Sequence, residues 1–168
     1  MDIDAIYKRR SIRRYENRFV TPELINELLR AAMSAPSAGN EQPWQFVVIT
    51  RRELLERIPD IHPYAGMASD AHVAILICGD LEREKHEGFW VQDCAAATEN
   101  LLIAAAGLGL GAVWCGVHPR QDREKGFREL LGIPERVVPF ALVPVGWPAE
   151  EKVSSDRFDP LRIHYEKW

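Results

Sequence analysis

Leu101-Leu102-Ile103-Ala104-Ala105-Ala106-Gly107-Leu108-Gly109-Leu110-Gly111-Ala112-Val113-Trp114-Cys115-Gly116-Val117 is a run of seventeen residues without a charge. That is close to the ~20 apolar residues that span a bilayer as a helix. Gly107, Gly109, Gly111 and Gly116 punctuate it, and each glycine weakens a helix interior, so the run resolves into a helix end, a turn and a buried strand. A water-soluble chain with no membrane partner follows. The Gly-x-Gly-x-Gly spacing also resembles a dinucleotide-binding fingerprint, but that motif needs a strand before it and a helix after it. Here the order is reversed, and a glycine-rich helix stop is the better reading.

Upstream of the run, residues 87–106 have a helical pattern poor in charge, with Ala95, Ala96, Ala97, Ala104, Ala105 and Ala106 allowing close helix contact. This predicts a central, buried helix. Downstream, a strand is expected over 112–117, an amphipathic helix over 123–131 stopped by Gly132 and Pro134, and a strand over 137–145. Nearer the N-terminus, residues 2–9 read as a short helix, and Thr21-Pro22 supplies an N-cap and a first-position proline. The helix it opens runs to about Ser34 and is ended by Pro36. Strands are expected over 44–50 and 71–78, with a short helix over 52–57 and irregular loop over 59–70. From Gly146 to Trp168 the chain reads as an extended arm. Its apolar end, His164-Tyr165-Glu166-Lys167-Trp168, is expected to lie against a partner subunit.

The 168 residues are 46% hydrophobic and 27% charged without low-complexity tracts, so one domain over 1–168 is expected. A formal net charge of −4 argues against a nucleic-acid partner. Cys78, Cys94 and Cys115 stand far apart, which suggests neither disulfides nor a metal site, and a reducing cytoplasm fits best. The acidic N-terminus is followed by no apolar stretch, so no secretory signal is expected.

Basic residues gather locally. Lys8, Arg9, Arg10, Arg13, Arg14 and Arg18 fall within eleven positions that contain one acid, Glu16. Guanidinium forks and the Ser11 hydroxyl can satisfy several oxygens of one phosphate. On charge alone, however, a solvated basic surface is favoured, because an arginine cluster specifies no ligand. The loop Ala35-Pro36-Ser37-Ala38-Gly39-Asn40-Glu41-Gln42-Pro43-Trp44 can offer backbone donors, a hydroxyl and amides to a planar heterocycle, and reads equally well as an ordinary turn. The five histidines are scattered and read as structural or surface residues. Asp93 reads as a first-turn carboxylate and Cys115 as a packed thiol. No Gly-x-Ser-x-Gly or His-Glu-x-x-His motif is present, so no catalytic side chain is assigned.

Taken together, Arg9-Arg10-Ser11-Ile12-Arg13, the 35–44 loop one helix later, Asp93-Cys94-Ala95-Ala96-Ala97-Thr98-Glu99-Asn100-Leu101-Leu102, Gly107-Leu108-Gly109 and Pro144-Val145-Gly146-Trp147-Pro148 resemble the nitroreductase family over essentially the whole chain. The resemblance implies an α+β fold with a central, mostly antiparallel sheet packed by helices. It also implies an intertwined homodimer with an extended C-terminal arm, and FMN at the subunit interface. Arg9, Ser11 and Arg13, with Arg10 beside them, match positions that hold the FMN phosphate and ribityl chain. Pro36, Ser37 and Asn40 match the loop that meets the flavin from the other subunit. Trp114, Cys115 and Gly116 match the stretch whose backbone lies along the isoalloxazine ring, and Arg157 resembles a late basic residue that closes on the phosphate.

The implied chemistry is ping-pong transfer of reducing equivalents from NADH or NADPH through FMN to a small-molecule acceptor such as a nitroaromatic or a quinone. The alternatives are a flavoprotein of the same fold with other chemistry, namely reductive dehalogenation, small-molecule dehydrogenation or flavin breakdown, and a non-enzymatic binding module.

Overall fold

Side-chain alternation along the strands decides how this molecule is layered. The computed structural model describes residues 3–154 and 156–168. In chain order the elements are α1 (Asp4–Lys8), α2 (Pro22–Met33), β1 (Trp44–Ile49), α3 (Arg52–Leu55), α4 (Ile58–Ile61), β2 (Val73–Asp80), α5 (Trp90–Gly107), β3 (Gly111–Ala112), β4 (Cys115–Gly116), α6 (Gln121–Leu131) and β5 (Val137–Gly146). The strands form one antiparallel sheet in the order β1-β2-β5-β3, with β4 also paired to β5. Every residue of β2 is buried. Val73, Ile75 and Ile77 meet α2 and α5 on one face, while Ala74, Leu76 and Cys78 meet the side of α3, α4 and α6. Both faces of the sheet are therefore covered, as expected for an α+β architecture.

Local signals place the helix ends. Thr21 Oγ1 accepts from the Leu24 amide at 3.4 Å, and Pro22 opens α2, so the expected N-cap is present. At the other end of the decisive run, Leu110 N donates to Ala105 O at 2.8 Å and Gly109 N to Ala106 O at 3.2 Å. With Gly109 at φ +73°, this is the paired-bond helix stop that a left-handed residue makes possible. Among the described residues, no helix is long and apolar enough to cross a membrane.

Four expectations are corrected. The single strand over 112–117 is two short ones, because the shared register (Ala112 opposite Val145, Cys115 opposite Leu142) puts Val113 across from Pro144. Proline has no N–H, so the ladder is interrupted there. Residues 59–70 are helical turns rather than irregular loop, α4 being followed by a 3-10 turn over Pro63–Ser69. Pro59 and Pro63 preset first-turn backbone angles, and Ile58, Ala65 and Ala68 are fully buried. Helix α5 starts at Trp90, not Glu87, because Phe89 N bonds back to His86 O and Glu84 Oε1 accepts from Trp90 N. Strand β2 is Val73–Asp80, two residues later than expected. The expected helix over 2–9 is observed as α1; residue 2 lies outside the described residues.

All three cysteines are buried and free. Burial pushes the Cys78 thiol up to about 12 and the Cys115 thiol up to about 11, from an ordinary value of 9.0. A raised folded-state value means that the associated stability is complete below about pH 9 and is lost as pH rises toward the folded values. Stability measured by urea unfolding is therefore expected to decline above pH 9, and Cys115→Ala should make the decline shallower; an unchanged slope would contradict this. Leu76→Ala, at a site with 0% exposure, is expected to cost about 2–5 kcal/mol in the same assay. Val48→Ala on the edge strand, where the side chain is 38% exposed, should cost less than about 1 kcal/mol.

Candidate flavin site

After α1 the chain runs beside the far edge of the sheet and is held there by its main chain. Ser11 bridges Ala112 in parallel, and Ile12 N donates to Ala112 O at 3.0 Å. Glu16 N donates to Trp147 O at 2.8 Å, and Ala149 N to Arg14 O at 2.9 Å. The Tyr15 hydroxyl is 2.8 Å from Ile12 O and 3.2 Å from Pro144 O, which pegs the segment to the end of β5. Burial raises the pKa of this phenol above its usual value. Ile12 packs so closely on β3 that a Cβ at Gly111 would sit 2.6 Å from Ile12 Cγ2. Ile12 is buried between the partly exposed Ser11 and the exposed Arg13, so the arginines flank an anchored apolar residue.

The arginines have distinct surroundings. Arg9 Nε lies 3.2 Å from Glu99 Oε1 on α5. The Arg10 guanidinium donates to Arg9 O at 2.6 Å and to Val153 O at 3.2 Å, so it ties the arm to the segment. Arg9, Arg10 and Arg157 line one cavity of about 650 Å³, with Tyr7, Asp156 and Phe158 also in its wall. Lys152 Nζ donates to Ser11 O at 2.6 Å. The Arg13 amide donates to Glu150 Oε1 at 2.5 Å, and this bond holds the Glu150 carboxyl below the usual carboxylate range.

The second expected half lies elsewhere in the chain. Ala38–Asn40 forms a 3-10 turn whose first amide, Ala38 N, donates to Asp93 Oδ1 at 3.0 Å. Ser37 Oγ accepts from Gln42 N, and Asn40 Oδ1 accepts from Gln42 Nε2, both at 3.0 Å. The adjoining Glu41 is buried and accepts from His86 N at 2.8 Å. Pro36 and Ser37 line a recess of about 360 Å³ with Phe89, Gln92, Asp93 and Ala96. That recess shares no lining residue with the arginine cavity.

Trp114, Cys115 and Gly116 form the third group. The Trp114 ring packs edge-on to Phe140 at 5.7 Å, and buried Cys115 has its Sγ 4.0 Å from Met67 Sδ. Burial dominates the Cys115 thiol, and the charges of Arg13 and Arg123 both oppose it, so the arginine segment and this stretch share one electrostatic neighbourhood. Gly116 is exposed, and a Cβ there would meet nothing within 4 Å. Its carbonyl accepts from Arg123 Nη1 at 2.7 Å and lies 2.9 Å from His62 Nε2. Val117 N donates to Phe140 O, and peptide groups alternate sides along an antiparallel ladder. The Gly116 N–H and C=O therefore point away from β5, to the edge that no strand pairs among the described residues.

Two side chains of this region carry no signal in the sequence. His62 is buried with its pKa lowered, first by burial and then by the charge of Arg123. It reaches Gly116 across 54 positions, and no spacing rule links them. Arg123 sits on an amphipathic helix, where a solvated face is the ordinary expectation. Among the described residues, no group of three or more His, Cys, Asp or Glu side chains is placed to hold a metal ion.

Comparison with known proteins gives these features a family. The Nitroreductase family matches residues 6–62 and 62–147. A Methanothermobacter thermautotrophicus protein described as a candidate NADH dehydrogenase/NAD(P)H nitroreductase is 56% identical over 169 residues, covering 100% of this chain and 88% of that protein. The crystal structure of a candidate NADH oxidase from Clostridium acetobutylicum superposes with a TM-score of 0.95 at 45% identity, covering 98% of this chain and 100% of that one. A candidate nitroreductase from Desulfovibrio desulfuricans, crystallised in complex with FMN, superposes with a TM-score of 0.85 at 33% identity, covering 99% and 96%. The chain belongs to the nitroreductase family.

Proposed function

We propose that this chain is an NAD(P)H-dependent oxidoreductase that binds FMN and works as a homodimer. The observation that carries the reading is the arginine segment: its main chain is docked on the sheet edge, while Arg9, Arg10 and Arg157 line one cavity. The donor set fits a phosphate monoester, since charge-assisted bonds from guanidinium groups contribute about 1.5–3 kcal/mol each. Arg9 and Arg157 are the cavity donors, Ser11 and Arg13 serve the ribityl side, and Arg10 acts chiefly by holding Val153 of the arm. The open edge at Gly116 fits the ring, because backbone amides there can stabilise negative charge.

When bound, FMN supplies hydride chemistry, taking reducing equivalents from NADH or NADPH and passing them to a nitroaromatic, quinone or similar acceptor in a second half-reaction. The protein binds and orients the cofactor and excludes water. Asp93 fixes the 36–40 loop through the Ala38 amide. In this reading Pro36, Ser37 and Asn40 serve the partner's flavin, in keeping with a recess separate from the arginine cavity. The arm supports a dimer as well: Val153, Phe158, Leu161, Tyr165 and Trp168 are 73–100% exposed, a surface that a second subunit would cover. The whole chain is read as one domain. Three free, buried thiols agree with a reducing cytoplasm.

Purified protein is expected to show a flavin absorbance spectrum, or to gain one on FMN titration, and to bleach on addition of NADH or NADPH without oxygen. A colourless protein that takes up no FMN would sink the proposal. Arg9→Ala and Arg13→Ala are each expected to weaken FMN binding roughly 10- to 150-fold, the equivalent of one charge-assisted bond, with little change in unfolding midpoint. Sedimentation should find a dimer when flavin is bound; a flavin-loaded monomer would reject the two-subunit site.

A further inference from the structure

The Gly116 carbonyl receives more attention from side chains than packing requires. Strand β4 has only two residues and is separated from β3 by the interruption opposite Pro144. Two ladder positions hold it weakly, yet its last carbonyl is met by Arg123 Nη1 at 2.7 Å and by His62 Nε2 at 2.9 Å, with these two nitrogens 3.1 Å apart. His62 is 2% exposed. Arg123 Nε is also buried and without a hydrogen-bond partner among the described residues. Desolvating a guanidinium edge and an imidazole to hold one main-chain oxygen is costly unless that oxygen must stay in place.

The adjacent acid, Asp122, is held by Arg120 at 3.1 Å, and Arg123 forms no ion pair among the described residues. The groups facing it are His62, the Tyr64 ring 5.8 Å away and the Gly116 carbonyl. The charges of Arg13 and Arg123 both act on Cys115.

We propose that Arg123, which shares the Gly116 carbonyl with His62, is a positioning residue of the flavin site. It clamps the Gly116 carbonyl and so holds the 114–116 backbone in place, with the Gly116 amide on the same unpaired edge, and it sets a fixed positive charge beside that amide. This rests on the FMN reading above. The clamp favours the reduced, more negative form of the bound flavin over the oxidised form, because both an oriented amide and a nearby fixed cation stabilise added negative charge.

The test compares wild type with Arg123→Met and Arg123→Lys. The readouts are hydrogen exchange at residues 115–118 in the flavin-free protein and the midpoint potential of bound FMN. In Arg123→Met, exchange is expected to quicken. The ratio of reduced to oxidised FMN affinity should fall about tenfold, equivalent to about 30 mV for a two-electron couple. Arg123→Lys, which restores a charged donor, should recover most of the potential. If Arg123→Met does not fold, Arg123→Gln takes its place, keeping a donor but removing the charge. A potential unmoved in the uncharged variant, or no recovery in Arg123→Lys, overturns the inference while leaving the FMN reading intact. Failure of the wild type to bind FMN overturns both.

Discussion

Strand β2 has no solvent side. Its odd-numbered apolar residues face α2 and α5, its even-numbered ones face the α3, α4 and α6 layer, and β1 and β5 take both of its edges. A strand enclosed in this way fixes register, because a slip by one residue would exchange the two faces and bring every side chain against the wrong layer. The position of β5 follows from β2, and the 9–16 segment follows from β5 and β3. The candidate site is thus three steps removed from the strand that determines its place, and each step is made through backbone hydrogen bonds.

That dependence explains why the site sits at the edge rather than the centre. Strand β2 is paired along both edges, whereas the two short strands after α5 leave an interrupted border opposite Pro144. There, main-chain donors and long cationic side chains can face a ligand without breaking the core. Strain and conformational selection stay local: Asn40 and Gln42 hold positive φ values of 55° and 50° in the 36–42 loop, an uncommon conformation for residues other than glycine.

Much of this was legible in the chain itself. Thr21-Pro22 marked the start of α2, and the glycines after Ala106 marked the stop of α5, since capping and helix closure are local chemistry carried by residues a few positions apart. The layered fold and the arginine segment came into focus through the family resemblance, the arginines alone being as consistent with a solvated surface. The turns of 59–70 were missed because their buried Ile58, Ala65 and Ala68 show no long period, and the split of 112–117 was missed because its cause, Pro144, lies on another strand. His62, Arg123 and the tie from Asp93 to Ala38 are tertiary contacts. They became visible only once α4, α5 and α6 were placed around the sheet.

The docking of the 9–16 segment separates two kinds of heredity. Its attachment to β3 and β5 uses amides and carbonyls that any residue supplies, together with the fixed requirements of Tyr15, Ile12 and Gly111. Arg13 and Arg14, between those pegs, are exposed, and their attachment is through the main chain. Sequence drift at those positions can therefore change the charge that the edge presents without renegotiating the fold, whereas drift at the pegs would move the whole segment at once. A scaffold built this way can diversify its chemistry while its architecture stays put.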